Sequence, residues 1–368
     1  MRCKIALIPS IKEPFIIEEV ELSDPKPNEV RLKVKACSIC HSDIHSILGE
    51  HGGFEGAGTA GHEVSGVIDA VGSDVSYVMP GDRVMATLVK AGCGHCSECL
   101  SGRFIRCLTN GGIVFQQKGP YVRANGDVPI QTGGAFTGFA EYTNVPEDNL
   151  VKLDDDIPYD IGAILTCAVI SGFYGVLHRA CVRPFESLVV VGCGGVGISA
   201  VQGARFAGAF PVIALDTLDS KLERAKGFGA THIINPKNCD PVVEVKSICN
   251  SYGAEHVILS VAAPGLKRQA LDMLQPVGRL TVIGHISYEH EFLGDINVLD
   301  LMKGRAIIGS AMGAVTIRRD IPRLCRLYKH GLLKVDEMID GRFPLEQINE
   351  AVASVRQGGA LKNVIVFS

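Results

Sequence analysis

Four thiols fall within fifteen residues at Cys93, Cys96, Cys99 and Cys107, spaced C-x2-C-x2-C-x7-C. Thiolates at that density suit a closed tetrahedral zinc site, which leaves no open coordination position and therefore has a structural role. A bacterial-type iron–sulfur run would place its fourth Cys after three residues and usually follow it with Pro. Here seven residues intervene and Leu108 follows. A second concentration, Cys37 to His45 (Cys-Ser-Ile-Cys-His-Ser-Asp-Ile-His), holds groups that bind metals or move protons. Alone it is ambiguous. Its first five residues fit the C-x-x-C-H pattern of haem attachment, and Cys37 with Cys40 fits half a zinc knuckle or a redox dithiol.

A third constellation is Gly192-Cys193-Gly194-Gly195-Val196-Gly197, with Asp216 24 residues after its first glycine. A lone G-x-G-x-x-G says little. This one follows the continuous apolar run Leu188–Val191, as a strand covered on both faces should read, and precedes an apolar-periodic helix through about Ala207. In that context the glycines allow a tight turn and bring backbone N–H groups close to a pyrophosphate at the helix N-terminus. Asp216 would accept hydrogen bonds from ribose hydroxyls and repel a 2′-phosphate, which favours NAD over NADP.

The elements that must position these groups change texture along the chain. Residues 1–35 carry alternating runs, Cys3–Ile8, Phe15–Leu22 and Glu29–Ala36, around the turn-forming segment Ser23–Asn28, so the chain opens β-rich. Gly61–Gly72 reads as a further strand and Pro80-Gly81-Asp82 as a turn. From Ser187 strands and helices alternate, with strands expected at Pro211–Leu215, Thr231–Ile234, His256–Val261 and Arg279–Ile283. Near the C-terminus, Ile321–Tyr328 and Leu345–Val355 read as helices and Asn363–Phe367 as a strand.

The chain has 368 residues, 46% of them apolar, and a net charge of −4, which supports neither nucleic-acid nor membrane-surface binding. The N-terminus lacks an apolar run of signal-peptide length, and neither long uncharged run, Ile161–Leu177 nor the glycine-broken stretch from Ser187, makes a convincing membrane helix. The thirteen cysteines therefore read as reduced thiols and metal ligands, and a cytoplasmic location is expected.

The Cys40 stretch, Gly61-His62-Glu63 and the four-cysteine lobe, all upstream of a Rossmann unit, together resemble the zinc-containing medium-chain alcohol dehydrogenases over essentially the whole chain. The resemblance implies an α/β protein: a Rossmann doubly wound parallel sheet domain at 169–311, and a β-rich GroES-like catalytic domain at 1–168 to which 312–368 return. It implies two zincs, a structural one at Cys93, Cys96, Cys99 and Cys107 and a catalytic one held by Cys40, His62 and Cys167, with Glu63 close behind. That ligand set is a known catalytic one and leaves a fourth position open. Asp43 resembles the carboxylate that orients the His62 ring. Ser42 and His45, three apart on a short helix, match the family's proton relay. His41, Lys221 and Lys362 match basic residues that touch the cofactor, alongside Gly192, Gly194, Gly195, Val196, Gly197 and Asp216. The implied reaction is reversible hydride transfer between an alcohol and NAD, giving aldehyde or ketone.

Three positions depart from the ethanol-oxidising relatives. Val89 stands where they place an aromatic side chain, and Gly133 and Gly134 where they place bulky apolar groups. A wider cavity and a secondary, cyclic or aromatic alcohol are expected. The segment Leu108–Phe139 is long, as in dimeric members, whereas shorter-looped relatives are tetramers, so a homodimer is expected. Three other classes compete. A zinc-ribbon regulatory or nucleic-acid-binding protein lacks support from charge. Zinc-free reductases of the same superfamily lack the Cys40, His62 and Cys167 set. An iron–sulfur carrier would be coloured.

Overall fold

The computed structural model describes residues 1–50, 54, 56–109, 117–123, 129–261, 263, 265–283 and 296–368. The chain divides into two compact units, Met1–Cys167 with Thr316–Ser368, and Ala168–Val315.

The first unit holds two sheets. Five strands pair in the order Arg2–Leu7, Ile16–Leu22, Gln117–Arg123, Pro129–Thr132, Gly58–Thr59. The middle two fall in the segment expected as a long loop, which instead completes this sheet; residues 110–116 and 124–128 of it lie outside the described residues. In the second sheet, Glu29–Ser38 is central, flanked by Glu63–Val71 and by the terminal strand Lys362–Val366. Its alternation of half-buried charged residues with buried Val30, Leu32 and Val34 is what one covered face of an antiparallel sheet requires. Register then matters for function. Ser38 stands opposite both Glu63 and Val364, so three sheet neighbours deliver Cys40, His62-Glu63 and Lys362 to one end of the sheet.

The second unit is a six-stranded parallel sheet in the order His232–Ile234, Val212–Leu215, Leu188–Val191, Ala254–Leu259, Leu274–Val282, Ala306–Gly309. Leu188–Val191, the first of these strands in the chain, is central and the order reverses beside it, the doubly wound arrangement that opens a crevice at the strands' carboxyl ends. Leu188–Val191 is buried throughout, as a strand covered on both faces must be.

The helical stretch Tyr159–Ala180 is long and apolar enough to cross a membrane, but 89% of its most apolar window is buried in the protein. It reads as a core helix. It is irregular, with π turns at Leu165–Val169 and Gly175–Ala180. Expected strand and helix ends move by a few residues: the late helix runs Ile317–Lys329, and the next begins as a 3-10 turn, Leu345–Gln347, before Ile348–Arg356.

Candidate metal and nucleotide sites

Cys40 caps the helix His41–Leu48, with extended backbone at φ −109°, ψ 152°. Asp43, in that helix's first turn and 3% exposed, ties the surrounding chain together. Its Oδ2 accepts from Cys40 N at 3.0 Å, and its Oδ1 accepts from Gly61 N at 2.9 Å and faces His62 Nδ1 at 2.9 Å. Gly61 makes this approach at φ +97°, where a side chain would be strained and would strike Phe139 and Cys37 at 2.9 Å. Because a carboxylate only accepts, His62 carries its proton on Nδ1 and presents Nε2. Cys167 comes from the first π turn of the core helix, the kind of widened turn that often marks functional positions.

These elements bring one donor atom each of Cys40, His62, Glu63 and Cys167 within 4.8 Å of one another. A hydrogen bond from the Cys167 thiol holds Cys40 well below the ordinary thiol range, against the opposing effect of burial. The same bond, together with burial, holds Cys167 well above it. Burial disfavours charge on His62, but Asp43 and Cys40 outweigh it and raise the ring's pKa. Burial pushes Glu63 up to about 7, with Lys362 opposing. Lys362 Nζ lies 2.6 Å from Glu63 Oε2 and donates to the Ile39 carbonyl at 2.8 Å. Lys362, expected to touch the cofactor, is thus buried and engaged with Glu63. Glu63 Oε1 is buried with no hydrogen-bond partner among the described residues. The two sulfurs and the imidazole nitrogen make a three-ligand set that fits zinc and leaves one place open, with the orphaned Glu63 oxygen close behind them.

Ser42 Oγ lies 3.3 Å from His62 Nε2, beside the metal-facing nitrogen. His45, one turn on, is half-buried, and His41 at the start of the helix is exposed. Cys37 is a fully buried thiol with a raised pKa and stands outside the cluster.

The Cys93, Cys96, Cys99 and Cys107 sulfurs likewise lie within 4.8 Å of one another. The Cys93–Cys99 and Cys96–Cys107 Sγ separations are 4.0 and 3.9 Å. Tetrahedral zinc–sulfur bonds of about 2.3 Å call for about 3.8 Å. Backbone N–H groups of Cys93, Cys96 and Cys99 point at Cys107, Cys93 and Cys96 sulfurs at 3.3 to 3.5 Å, a loop wrapped for thiolates. Cys93 is lowered to about 7, chiefly by a hydrogen bond from Thr109.

In the second unit, Gly194 precedes the helix Gly195–Ala207. A Cβ at Gly197 would lie 1.7 Å from the Gly192 carbonyl, whereas one at Gly194 would meet open space. Gly197 thus packs helix against strand and Gly194 leaves backbone accessible, while the amides of Gly195, Val196 and Gly197 begin the helix without intrahelical partners. This fits a pyrophosphate. Asp216 accepts from Cys193 N at 2.8 Å and Leu218 N at 3.0 Å, holding its carboxylate at the lip of the glycine turn. Lys221, on the helix Asp219–Phe228, is buried.

Of the expected pocket residues, Val89 is buried and Gly133 is fixed by its N–H to the Thr59 carbonyl at 2.9 Å. A Cβ at Gly133 would find nothing closer than 3.6 Å. Thr132 Oγ1 donates to the Gly134 carbonyl. Two groups at the sites escaped sequence reasoning. Glu50 contacts His45 Nδ1, a partner legible only in the Gly49-Glu50 helix end. Ser260 donates to the Val191 and Gly192 carbonyls at 2.9 Å and pins the glycine turn; no sequence signal marks it.

Family comparisons agree with this geometry. Residues 26–155 match an alcohol dehydrogenase GroES-like domain and 195–330 a zinc-binding dehydrogenase domain. S-(hydroxymethyl)glutathione dehydrogenase of Saccharomyces cerevisiae is 32% identical, over 99% of this chain and 96% of its own. An NDMA-dependent alcohol dehydrogenase of Amycolatopsis methanolica is also 32% identical, with both chains fully covered. Among solved structures, benzyl alcohol dehydrogenase of Acinetobacter calcoaceticus superposes with a TM-score of 0.89 at 29% identity, covering both chains fully.

Proposed function

The chain belongs to the zinc-containing medium-chain alcohol dehydrogenase family, and from that premise we propose that it oxidises secondary, cyclic or aromatic alcohols with NAD, reversibly. It is an oxidoreductase acting through zinc. When bound, zinc polarises an alcohol oxygen and eases loss of its proton, and the nicotinamide accepts the hydride.

The chain's own residues do the rest. Cys40, His62 and Cys167 would hold the catalytic zinc, and the observation that carries this reading is their convergence with His62 Nε2 presented by Asp43. Ser42, beside Nε2, is placed to take the alcohol proton and pass it along the helix toward His45. Lys362 offsets the Glu63 charge behind the ligands. Cys93, Cys96, Cys99 and Cys107 would hold the structural zinc. Gly192, Gly194, Gly195, Val196 and Gly197 would receive the pyrophosphate, and Asp216 the ribose hydroxyls in preference to a 2′-phosphate. His41 and Lys221 remain cofactor contacts in this reading.

The bulky-alcohol assignment rests on the small residues Val89, Gly133 and Gly134 and on the benzyl alcohol dehydrogenase likeness. A homodimer is supported by Ala306–Gly309, which ends the sheet order, and by exposed Val298, Leu299, Leu301 and Met302 nearby in sequence. Among the described residues no cysteine is in a disulfide, which suits a reducing cytoplasm.

The test is a kcat/KM panel with NAD and NADP over ethanol, cyclohexanol and benzyl alcohol. NAD with cyclohexanol or benzyl alcohol should lead. Ethanol ahead of both would overturn the substrate reading, and NADP ahead of NAD the cofactor reading.

A further inference from the structure

The helix His41–Leu48 ends at Gly49, in the left-handed region at φ 75°, ψ 15°. Gly49 N donates to the Ser46 carbonyl at 3.2 Å and Glu50 N to the His45 carbonyl at 2.9 Å. This closure turns the chain back over the helix's last turn. Lys12 N, donating to the Ile47 carbonyl at 2.8 Å, braces the same turn from outside, and Ile11 lies 3.1 Å from where a Gly49 Cβ would stand. The result is that the Glu50 carboxylate meets the His45 ring, Oε2 against Nδ1.

We propose that Glu50 is a positioning residue for proton transfer, holding His45 with its proton on Nδ1 so that Nε2 is the atom that gains and gives up the catalytic proton. The carboxylate can only accept, so the shared hydrogen belongs to the imidazole, and the ring's other nitrogen is left basic. Holding an imidazole in one tautomer and orientation is the role an orienting acid plays in catalytic triads. The two ends of the helix thus have different tasks. At its start, Asp43 fixes His62 in the Nδ1–H form, which aims Nε2 at the metal cluster. At its end, Glu50 fixes His45 in the same form, at the solvent side: the Glu50 and His45 side chains are 41% and 29% exposed. One short helix carries two carboxylate–imidazole pairs, one inward for metal binding and one outward for proton release. The proposal rests on the alcohol dehydrogenase reading, which supplies the proton to be moved.

The test compares Glu50→Ala, Glu50→Gln and His45→Ala. In the zinc-loaded protein without cofactor, nitrogen-detected NMR of the His45 ring reports the tautomer directly. Wild type should show Nδ1–H. Glu50→Ala should drift to the Nε2–H form that a free imidazole prefers, and Glu50→Gln, whose amide oxygen still accepts, should keep Nδ1–H. In turnover, Glu50→Ala should lower kcat about tenfold with KM for the alcohol nearly unchanged, and Glu50→Gln should regain most of it. Zinc content should stay constant across all three. If Glu50→Ala keeps both the Nδ1–H signal and full kcat while His45→Ala loses kcat, the positioning role is wrong and the relay stands. If His45→Ala keeps full kcat, the relay itself is wrong.

Discussion

Asp43→Ala removes one carboxylate and three anchor points of the metal cluster at once. Its Oδ1 serves His62 Nδ1 and Gly61 N, both at 2.9 Å, and its Oδ2 serves Cys40 N at 3.0 Å. Two of the three proposed zinc ligands, Cys40 and His62, therefore take their orientation from this side chain, whereas Cys167, set by its own π turn, does not. Loss of a carboxylate that orients a ligating imidazole typically weakens zinc binding 10- to 100-fold, or about 1.4–2.7 kcal/mol. Since Asp43 orients two ligands, the upper part of that range is expected. Asp43→Asn should fall between. Its amide oxygen can still accept from His62 and Gly61, but its NH₂ group then faces Cys40 N–H, donor against donor. The assay is competition with a chelator of known affinity, and the four-cysteine lobe, which shares no residue with Asp43, serves as an internal control. A catalytic-site zinc affinity within twofold of wild type in Asp43→Ala would mean that Asp43 does not orient Cys40 and His62 for the metal.

Cys99→Ala should cost one zinc per chain and several degrees of melting temperature while leaving the other zinc in place, as metal analysis with calorimetry would show. Asp216→Asn should raise KM for NAD and narrow the NAD-over-NADP ratio of kcat/KM, since the repulsion of a 2′-phosphate is lost. Gly133→Val should shift the kcat/KM preference from benzyl alcohol toward ethanol, since a Cβ there meets Thr59 and Ala60 at ordinary contact distances of 3.6–3.8 Å and is accommodated without a clash. Asp300, hydrogen-bonded to Arg268 and Arg305, is held down to about 2, mainly by Arg268. Because its folded pKa lies below the unfolded value of 3.8, the stability it supplies is present above about pH 4 and is lost as pH falls toward 2. Asp300→Asn should therefore cost about 1–2 kcal/mol at pH 7, allowing for solvent screening at the partly exposed Arg268, and almost nothing near pH 2. Denaturant titrations at the two pH values check the difference.

What the sequence made legible divides by range. The lobe from Cys93 to Cys107 is local, so spacing alone announces it, and the glycine turn is legible because strand, turn and helix adjoin in the chain. Cys40, His62 and Cys167 carry no such local pattern. They are gathered by the register of Glu29–Ser38 against Glu63–Val71 and by an irregular core helix, and neither register nor a π turn can be read from periodicity. Hence only the resemblance pointed to that set. Lys362 shows the limit most plainly. Its charge near the C-terminus suggests a surface or cofactor contact, but Lys362–Val366 pairs beside Ala36–Ser38, and the ammonium is buried on Glu63. Glu50 was invisible for a different reason: its partner is chosen by a helix end, and nothing in the letters says that Gly49 turns the chain back. The segment 108–139 read as loop because its strands Gln117–Arg123 and Pro129–Thr132 are short and broken by Gly119, Pro120 and Pro129.

Metal content and NAD-linked alcohol oxidation in Cys40→Ala decide whether the chain holds two separate zinc sites, one open and one closed, with only the open one serving turnover. Wild type should carry two zincs per chain, and Cys40→Ala should keep one, remain folded and lose turnover. Retention of both zincs with full NAD-linked activity would contradict the account.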